Sequence, residues 1–395
     1  MSLPNGWKKV KLGDFAQIFD GTHQTPEYVD KGIPFVSVEN ISDIWGTDKY
    51  ITQEAFNAYS TKPQKGDILM TRITAGVIGK TAIIDSNEPL AYYVSLALIR
   101  CRKEDVIPVY LSQFIEGLYF KSELNKRIIH TAFPKKINLN DIGKCEVILP
   151  PLEEQKKIAE TLSVWDNAIE KTEKLIEAKS NHFNQMIDNL IVKKSLNSSW
   201  ETFAIKEIFD VVNRKNKSGN TNVLTSSAQY GLVNQQEYYK KDIASSDISG
   251  YYLLQKGDFA YNRSYSTGYP YGVVKRLDKY ESGVLSTLYL CMSLKEPYQS
   301  FSDYLVFLFE SSYLNNQLAL ICREGARNHG LLNVSKEDFF NLKIQLPSEK
   351  EQAKIVSVLQ LYSKELNLLK QQLENYKKQK QGLMQKLLTG QWRVK

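Results

Sequence analysis

Several short stretches carry residue types that could do catalytic chemistry, and each fails on spacing. AGVIGKT, Ala75 to Thr81, has the glycine and lysine of a phosphate-binding loop. That loop needs another glycine five residues before Gly79, where Thr74 stands. LPPL, Leu149 to Leu152, has the rhythm of the motif with which methyltransferases hold an amino group, but Leu149 replaces the Asn or Asp that would accept the amino hydrogens. The later copy, LPSE, departs further. His23, His130, His182 and His329 show neither HExxH nor other ligand spacing. Cys101, Cys145, Cys291 and Cys322 form no CxxC pair, so scattered buried thiols are expected rather than a zinc site or a disulfide framework. No GxGxxG follows a strand and no GxSxG elbow occurs. The chain is therefore not expected to be an enzyme on its own, nor to bind a cofactor or metal.

A different chemistry is spelled in stretches that mix glycine with small hydroxyl, aromatic and basic residues. They are DGTHQTP with Thr22 and His23, TRITAG with Arg72 and Thr74, and TAFPKK with Lys135 and Lys136. Later come YNRSYSTGYPYG with Arg263, Tyr265 and Ser266, and REGARNHG with Arg327 and Asn328. Arg and Lys can donate to guanine or phosphate, Asn can pair with adenine, and glycine lets backbone approach a duplex. Any one of these is also what an ordinary polar turn looks like. A net charge of +7 suits a polyanionic partner without requiring one.

Two of these loops, TAFPKK and REGARNHG, occupy equivalent places, because the chain is a tandem duplication. Trp7, Val10, Leu12, Phe15 and Ile18 shift by 193 onto Trp200, Phe203, Ile205, Ile208 and Val211, all apolar. Lys65-Gly66-Asp67 moves by 191 onto Lys256-Gly257-Asp258, each before a short apolar strand pattern. Tyr110, Leu111 and Phe114 shift by 194 onto Tyr304, Leu305 and Leu308 in a helical pattern. LPPLEEQKKIAETL returns as LPSEKEQAKIVSVL after 197 residues, and TAFPKK and REGARNHG both lie between the helical pattern and the strand before Leu-Pro.

After each Leu-Pro a heptad seam runs in identical register. The first is Ile158, Leu162, Trp165, Ile169, Thr172, Ile176, Lys179, Phe183, Met186 and Leu190; the second spans Ile355 to Leu387. Pro151 with Glu153 and Glu154 starts the first helix, Ser348 and Glu351 have the spacing of a capping box, and Gly390 suits a stop. Two helices of roughly 60 Å cannot hide such seams alone, so each is expected to cover the other, a homodimeric coiled coil being the alternative. The lysines of NYKKQKQ, Asn375 to Gln381, fall on the outer face of that pattern and read as solvated. The expected class is α+β: one α/β domain over residues 1–148, a spacer helix over 149–194, a second α/β domain over 195–345 and a spacer helix over 346–395.

With 395 residues, 42% hydrophobic and 24% charged, the chain exceeds one hydrophobic core, and no apolar run would span a bilayer. A cytoplasmic protein with no membrane partner is expected. The layout resembles the specificity subunit of type I restriction-modification systems over essentially the full chain. The resemblance rests on Trp7-x2-Val10-x-Leu12-Gly13-Asp14, Gly21-Thr22 to Thr25-Pro26, Lys65-Gly66-Asp67, the paired Leu-Pro and Glu-Gln-x2-Ile helix starts, and Leu387-Leu388-Thr389-Gly390.

That resemblance implies two target recognition domains, an antiparallel coiled coil that sets their spacing, and no catalytic site. It also implies double-stranded DNA and two methyltransferase subunits as partners, with S-adenosylmethionine bound by those subunits and restriction subunits joining for cleavage. Glu154, Gln155, Glu351 and Gln352 are then candidate contacts to a catalytic partner. Because the loops of the halves differ, the expected target is an asymmetric two-part sequence. A coiled-coil scaffold, or a specificity subunit with other catalytic partners, remains an alternative on sequence alone.

Overall fold

A computed structural model describes residues 3–196, 198–227, 230–239, 247–265, 268–322 and 332–394. The contacts divide the chain into two compact units. One comprises residues 1–174 with 371–395, the other residues 175–370.

In the first unit, strand Lys8–Lys11 pairs antiparallel with Glu146–Leu149, the strand that ends at Leu-Pro. A four-stranded antiparallel sheet follows in the order Ala16–Asp20, Leu96–Cys101, Ile68–Thr71, Thr81–Ile83. All four residues of Ile68–Thr71 are buried, the pattern of a strand covered on both faces rather than one that alternates. Helix Pro108–Glu116 opens on proline at its first turn and buries Tyr110, Leu111, Phe114 and Ile115 against this core.

The second unit repeats the frame. Glu201–Ala204 pairs with Lys343–Leu346, and the four-stranded order is Phe209–Val211, Leu290–Leu294, Phe259–Asn262, Val273–Arg276. Helix Ser302–Glu310 takes the packing role of Pro108–Glu116 and buries Tyr304, Leu305 and Leu308.

Outside the frame the units diverge. The first adds a small sheet in the order Tyr50–Ile51, Ile33–Val36, Ala91–Tyr92, with a parallel pair. The second adds two separate antiparallel pairs, Leu224–Ser227 with Gly231–Asn234 and Tyr252–Gln255 with Ser282–Leu285.

The Lys-Gly-Asp repeat is a turn with a buried acid. Gly66 and Gly257 take φ of +94° and +91°, a backbone region that side chains resist. The following Asp67 and Asp258 accept from the backbone N–H of Gln64 at 2.9 Å and Gln255 at 2.7 Å. Each is paired with an arginine: Arg100 reaches Asp67 at 2.7 Å, and Arg214 reaches Asp258.

The first long helix runs Leu152–Ile187, 36 residues, and continues as a π-helical segment Asp188–Lys193 and a last turn Lys194–Leu196. The second runs Glu349–Leu387, 39 residues. Gly390 closes it with φ of +74°. The capping box expected at Ser348 does not form through Glu351, whose two carboxylate oxygens go to Trp200 and Lys194.

Within the first unit, Asp166 pairs with Lys380, Glu173 meets Lys377 at 2.8 Å, and Trp165 packs edge-on against Tyr376 at 5.8 Å. Within the second, Lys179 meets Glu365 at 2.8 Å and Phe183 stacks on Tyr362 at 6.0 Å. Lys179 and Lys380, polar members of the seam, are thus paired with acids on the other long helix, so Lys377 and Lys380 of NYKKQKQ are engaged in ion pairs rather than simply solvated as expected.

Both ends of the helices enter the cores. Ile158, Leu162, Met384, Leu387 and Leu388 belong to the first core, and Ile187, Ile191, Ile355 and Leu359 to the second. Each such burial stabilises by about 1.5–3 kcal/mol. Cys145 and Cys291 are buried, whereas Cys101 and Cys322 are half-buried, a departure from four buried thiols.

Candidate DNA interface

The first-half candidates gather at one end of the four-stranded sheet. Asp20 ends its strand there, Arg72 directly follows Ile68–Thr71, and Lys135–Lys136 pairs antiparallel with Ile73–Thr74. Lys135, Lys136 and Thr74 are thereby neighbours although 61 residues separate Thr74 from Lys135 in sequence.

Arg72 is the organising residue. It is only 6% exposed, and its guanidinium donates to Asp20 at 2.7 Å and to the Ile137 carbonyl at 3.3 Å. Asp20 carries the chain onward: its second oxygen meets His23 Nε2 at 2.8 Å, and its first also accepts from Gly21 N–H at 3.1 Å. Arg72 thus ties DGTHQTP to the residue that follows TAFPKK, so the guanidinium expected to donate to DNA is turned to partners inside the protein. Its buried Nε has no hydrogen-bond partner among the described residues.

Thr22 donates to the Gln24 carbonyl at 3.1 Å and Thr74 accepts from Gly76 N–H at 2.9 Å, so both hydroxyls shape their own loops. His23, Lys135 and Lys136 are exposed. A cleft of about 610 Å3 lies beside the first loop, lined by Asp20 to Glu27 and by Thr52, Tyr59 and Thr61 among others.

Arg263 repeats the arrangement in the second half. It donates to Val334 O at 3.2 Å, as Arg72 does to Ile137, and to Leu288 O at 2.8 Å. Positions 137 and 334 are related by the same shift of 197 that relates the long helices. The bond is therefore duplicated with the fold. Tyr265 is 63% exposed. Ser266, Arg327 and Asn328 lie outside the described residues.

The four partner-contact candidates face inward. Glu154 accepts from Trp7 Nε1 at 3.0 Å and from Arg393 at 3.0 and 2.8 Å. Gln155, 1% exposed, accepts from Ile107 N–H at 2.9 Å and donates to Pro150 O at 2.9 Å. Glu351 accepts from Trp200 Nε1 at 3.2 Å and pairs with Lys194. Gln352, 3% exposed, donates to Pro347 O at 2.8 Å. All four make bonds within their own unit, although the buried Oε1 of Gln352 has no hydrogen-bond partner among the described residues.

The clasp Trp–Glu–cation was missed in sequence, although Trp7 with Trp200 and Glu154 with Glu351 are identical in the two copies. The arginine beside Glu154 and the lysine beside Glu351 hold both carboxyls below the usual range. Burial acts the other way on the thiols: Cys101, Cys145 and Cys291 are pushed up to about 12, which suppresses the reactive thiolate.

The model of the type I restriction modification DNA specificity domain matches residues 4–180 and again residues 197–376. The chain belongs to that family. Across 100% of its length it is 26% identical to a putative type I restriction enzyme MjaX specificity subunit of Methanocaldococcus jannaschii, covering 95% of that protein. It is 21% identical to the type I restriction enzyme EcoKI specificity subunit of Escherichia coli K12, over 99% of this chain and 91% of the relative.

Among solved structures, the fold is similar to the S subunit of a type I restriction-modification system from M. genitalium, with TM-score 0.57, 14% identity and 98% of both chains covered. A chain from a study of complex assembly and conformational transition of the type I R-M system gives TM-score 0.56 at 15% identity, over 99% of this chain and 100% of that one. Two family domains therefore stand in tandem on a mixed helix-and-sheet frame. No helix among the described residues is long and apolar enough to cross a membrane.

Proposed function

We propose that this chain is the sequence-reading subunit of a type I restriction-modification assembly. Each half reads one part of an asymmetric double-stranded DNA target, and two methyltransferase subunits and restriction subunits act where it holds them. The observation that carries this reading is one four-stranded frame built twice with different loops and distal strands. A duplicated fold supports two reading events, and unequal loops support two different sequences.

In this reading the chain supplies no catalytic group and no cofactor. S-adenosylmethionine belongs to the methyltransferase partners, which flip the target adenine out of the stack while this subunit fixes the register. Residues 1–148 and 195–345 are the two readers. Residues 149–194 and 346–395 are spacer helices that pair as an antiparallel coiled coil, supported by contacts in which rising numbers on one helix meet falling numbers on the other: Asp166 with Lys380, Glu173 with Lys377, Lys179 with Glu365. Arg72 and Arg263 position loops, and His23, Lys135, Lys136 and Tyr265 face the duplex. The complex works in the cytoplasm.

Methyladenine mapped across the genome of cells with and without the subunit, in the presence of its methyltransferase, tests this. The expected result is a two-part motif that disappears with the subunit. Methylation by the purified chain alone, or an undivided motif, would overturn it.

A further inference from the structure

Phe133 is 91% exposed, the highest value among exposed large hydrophobic side chains of the described residues. It stands in a loop whose two ends are tied down. Ile129 N–H donates to Lys136 O at 2.8 Å, and Ile137 N–H to Arg72 O at 3.0 Å. Lys135–Lys136 is paired with Ile73–Thr74, and Arg72 holds the Ile137 carbonyl from beneath. The ring is thus presented outward from a braced base.

Two exposed ammonium groups follow it after a single proline. Lys135 and Lys136 take part in no ion pair among the described residues, unlike Lys126 and Lys144, which meet acids at 2.6 and 3.0 Å. Next to the strand pair lies a concavity of about 490 Å3 lined by Val77, Leu118, Lys121, His130 and Lys135 among others. A planar apolar ring flanked by unneutralised cations complements a partner that is anionic outside and apolar and stacked inside. Duplex DNA has that profile, and apolar side chains do enter base steps, partly unstacking them.

We propose that Phe133 is a wedge that enters a base step in the part of the target read by the first half, with Lys135 and Lys136 on the adjacent phosphates. The inference rests on the DNA-reading role above. It also assigns the distortion to one side only. The shift of 197 sets Gly330, Leu332 and Asn333 against Phe133, Lys135 and Lys136, so the second half lacks both the ring and the cations at these positions.

The test uses the full subunit assembled with its methyltransferase partner. The duplexes carry the mapped target with 2-aminopurine at each step of both parts except the methylated adenine. The expected result is a fluorescence rise at one step of the first part and none in the second. F133A abolishes the rise and weakens binding about ten- to hundredfold, the scale of a lost base–aromatic stack. F133W restores both. Because the side chain is exposed, F133A should unfold at the wild-type midpoint.

Equal fluorescence and affinity for F133A and wild type would overturn the wedge while leaving the DNA-reading role intact. Loss of methyltransferase binding by F133A without DNA would overturn it in favour of a protein seat for the ring. Failure of the wild-type complex to prefer its target would sink both.

Discussion

The two halves bury the same acid and neutralise it from different places. In the first, Arg100 on the second strand of the sheet holds Asp67 through Nε at 3.0 Å and Nη2 at 2.7 Å. In the second, Ser293 faces Asp210 as Arg100 faces Gln17, so serine occupies the place of Arg100, and Arg214, from the segment after Phe209–Val211, holds Asp258. The position that must be kept is the carboxylate, because it accepts a backbone N–H at the Lys-Gly-Asp turn. The cation can move, since any guanidinium within reach offsets the buried charge. The same division holds on a larger scale: the four-stranded order is kept, while the distal strands are rebuilt.

The sharpest way to break this comparison is D67A. It would leave Arg100, whose side chain is 27% exposed, without its carboxylate. Loss of about 3–5 kcal/mol in denaturant unfolding is expected, the cost of opening a buried pair. D258A should cost less, about 1–3 kcal/mol. Burial already raises the Asp258 carboxyl, opposing its ionisation, and the Arg214 side chain is 40% exposed and can return to water. Equal losses would mean that the two acids are equivalent after all.

The Trp–Glu–cation clasps allow a second contrast. E154Q should destabilise by about 1–2 kcal/mol, and E351Q by less, because Glu154 engages a two-pronged arginine and Glu351 a single ammonium. Both folded carboxyls lie below their unfolded value. Their contribution is therefore complete above the unfolded pKa of about 4.3 and is lost as pH falls through the folded one. Acid titration of unfolding should show wild type losing more stability than E154Q below that value. Parallel curves would disprove the linkage.

Smaller effects are expected at the interface. K135A and K136A should each lower the slope of log affinity against log salt by about one, without changing which bases are read. R263A should relax one part of the methylation motif and spare the other, since the bonds it breaks, to Leu288 and Val334, brace second-half loops. Relaxation of both parts would show that the halves do not read separately.

The frame was legible because duplication doubles every signal: Trp7 with Trp200, the two Lys-Gly-Asp turns and the heptads each confirm their copy. Gly390 and the helix starts were legible from local chemistry. Arg72 was not, because an arginine between threonine and isoleucine in a glycine-bearing loop looks solvated. Its acid lies 52 residues away, at the end of another strand. Glu154 beside a helix start looks like a cap, and only Arg393, 239 residues on, shows it to be a clasp. Such long-range ion pairs leave no periodicity. The π-helical segment at Asp188–Lys193 also lacked a local signal, since the heptad seam keeps its register up to Leu190, inside it.

The clasp on Glu154 has a temporal side. The core of residues 1–174 takes in Met384, Leu387 and Leu388, and Arg393 closes over it. The part of the chain made first at the ribosome is therefore completed last, whereas residues 175–370 form a continuous unit that can close while synthesis is still under way. A nascent chain halted before Met384 would carry a second unit able to close and a first one still unsealed, so the stretch from Met384 to Arg393 decides whether both units leave synthesis closed.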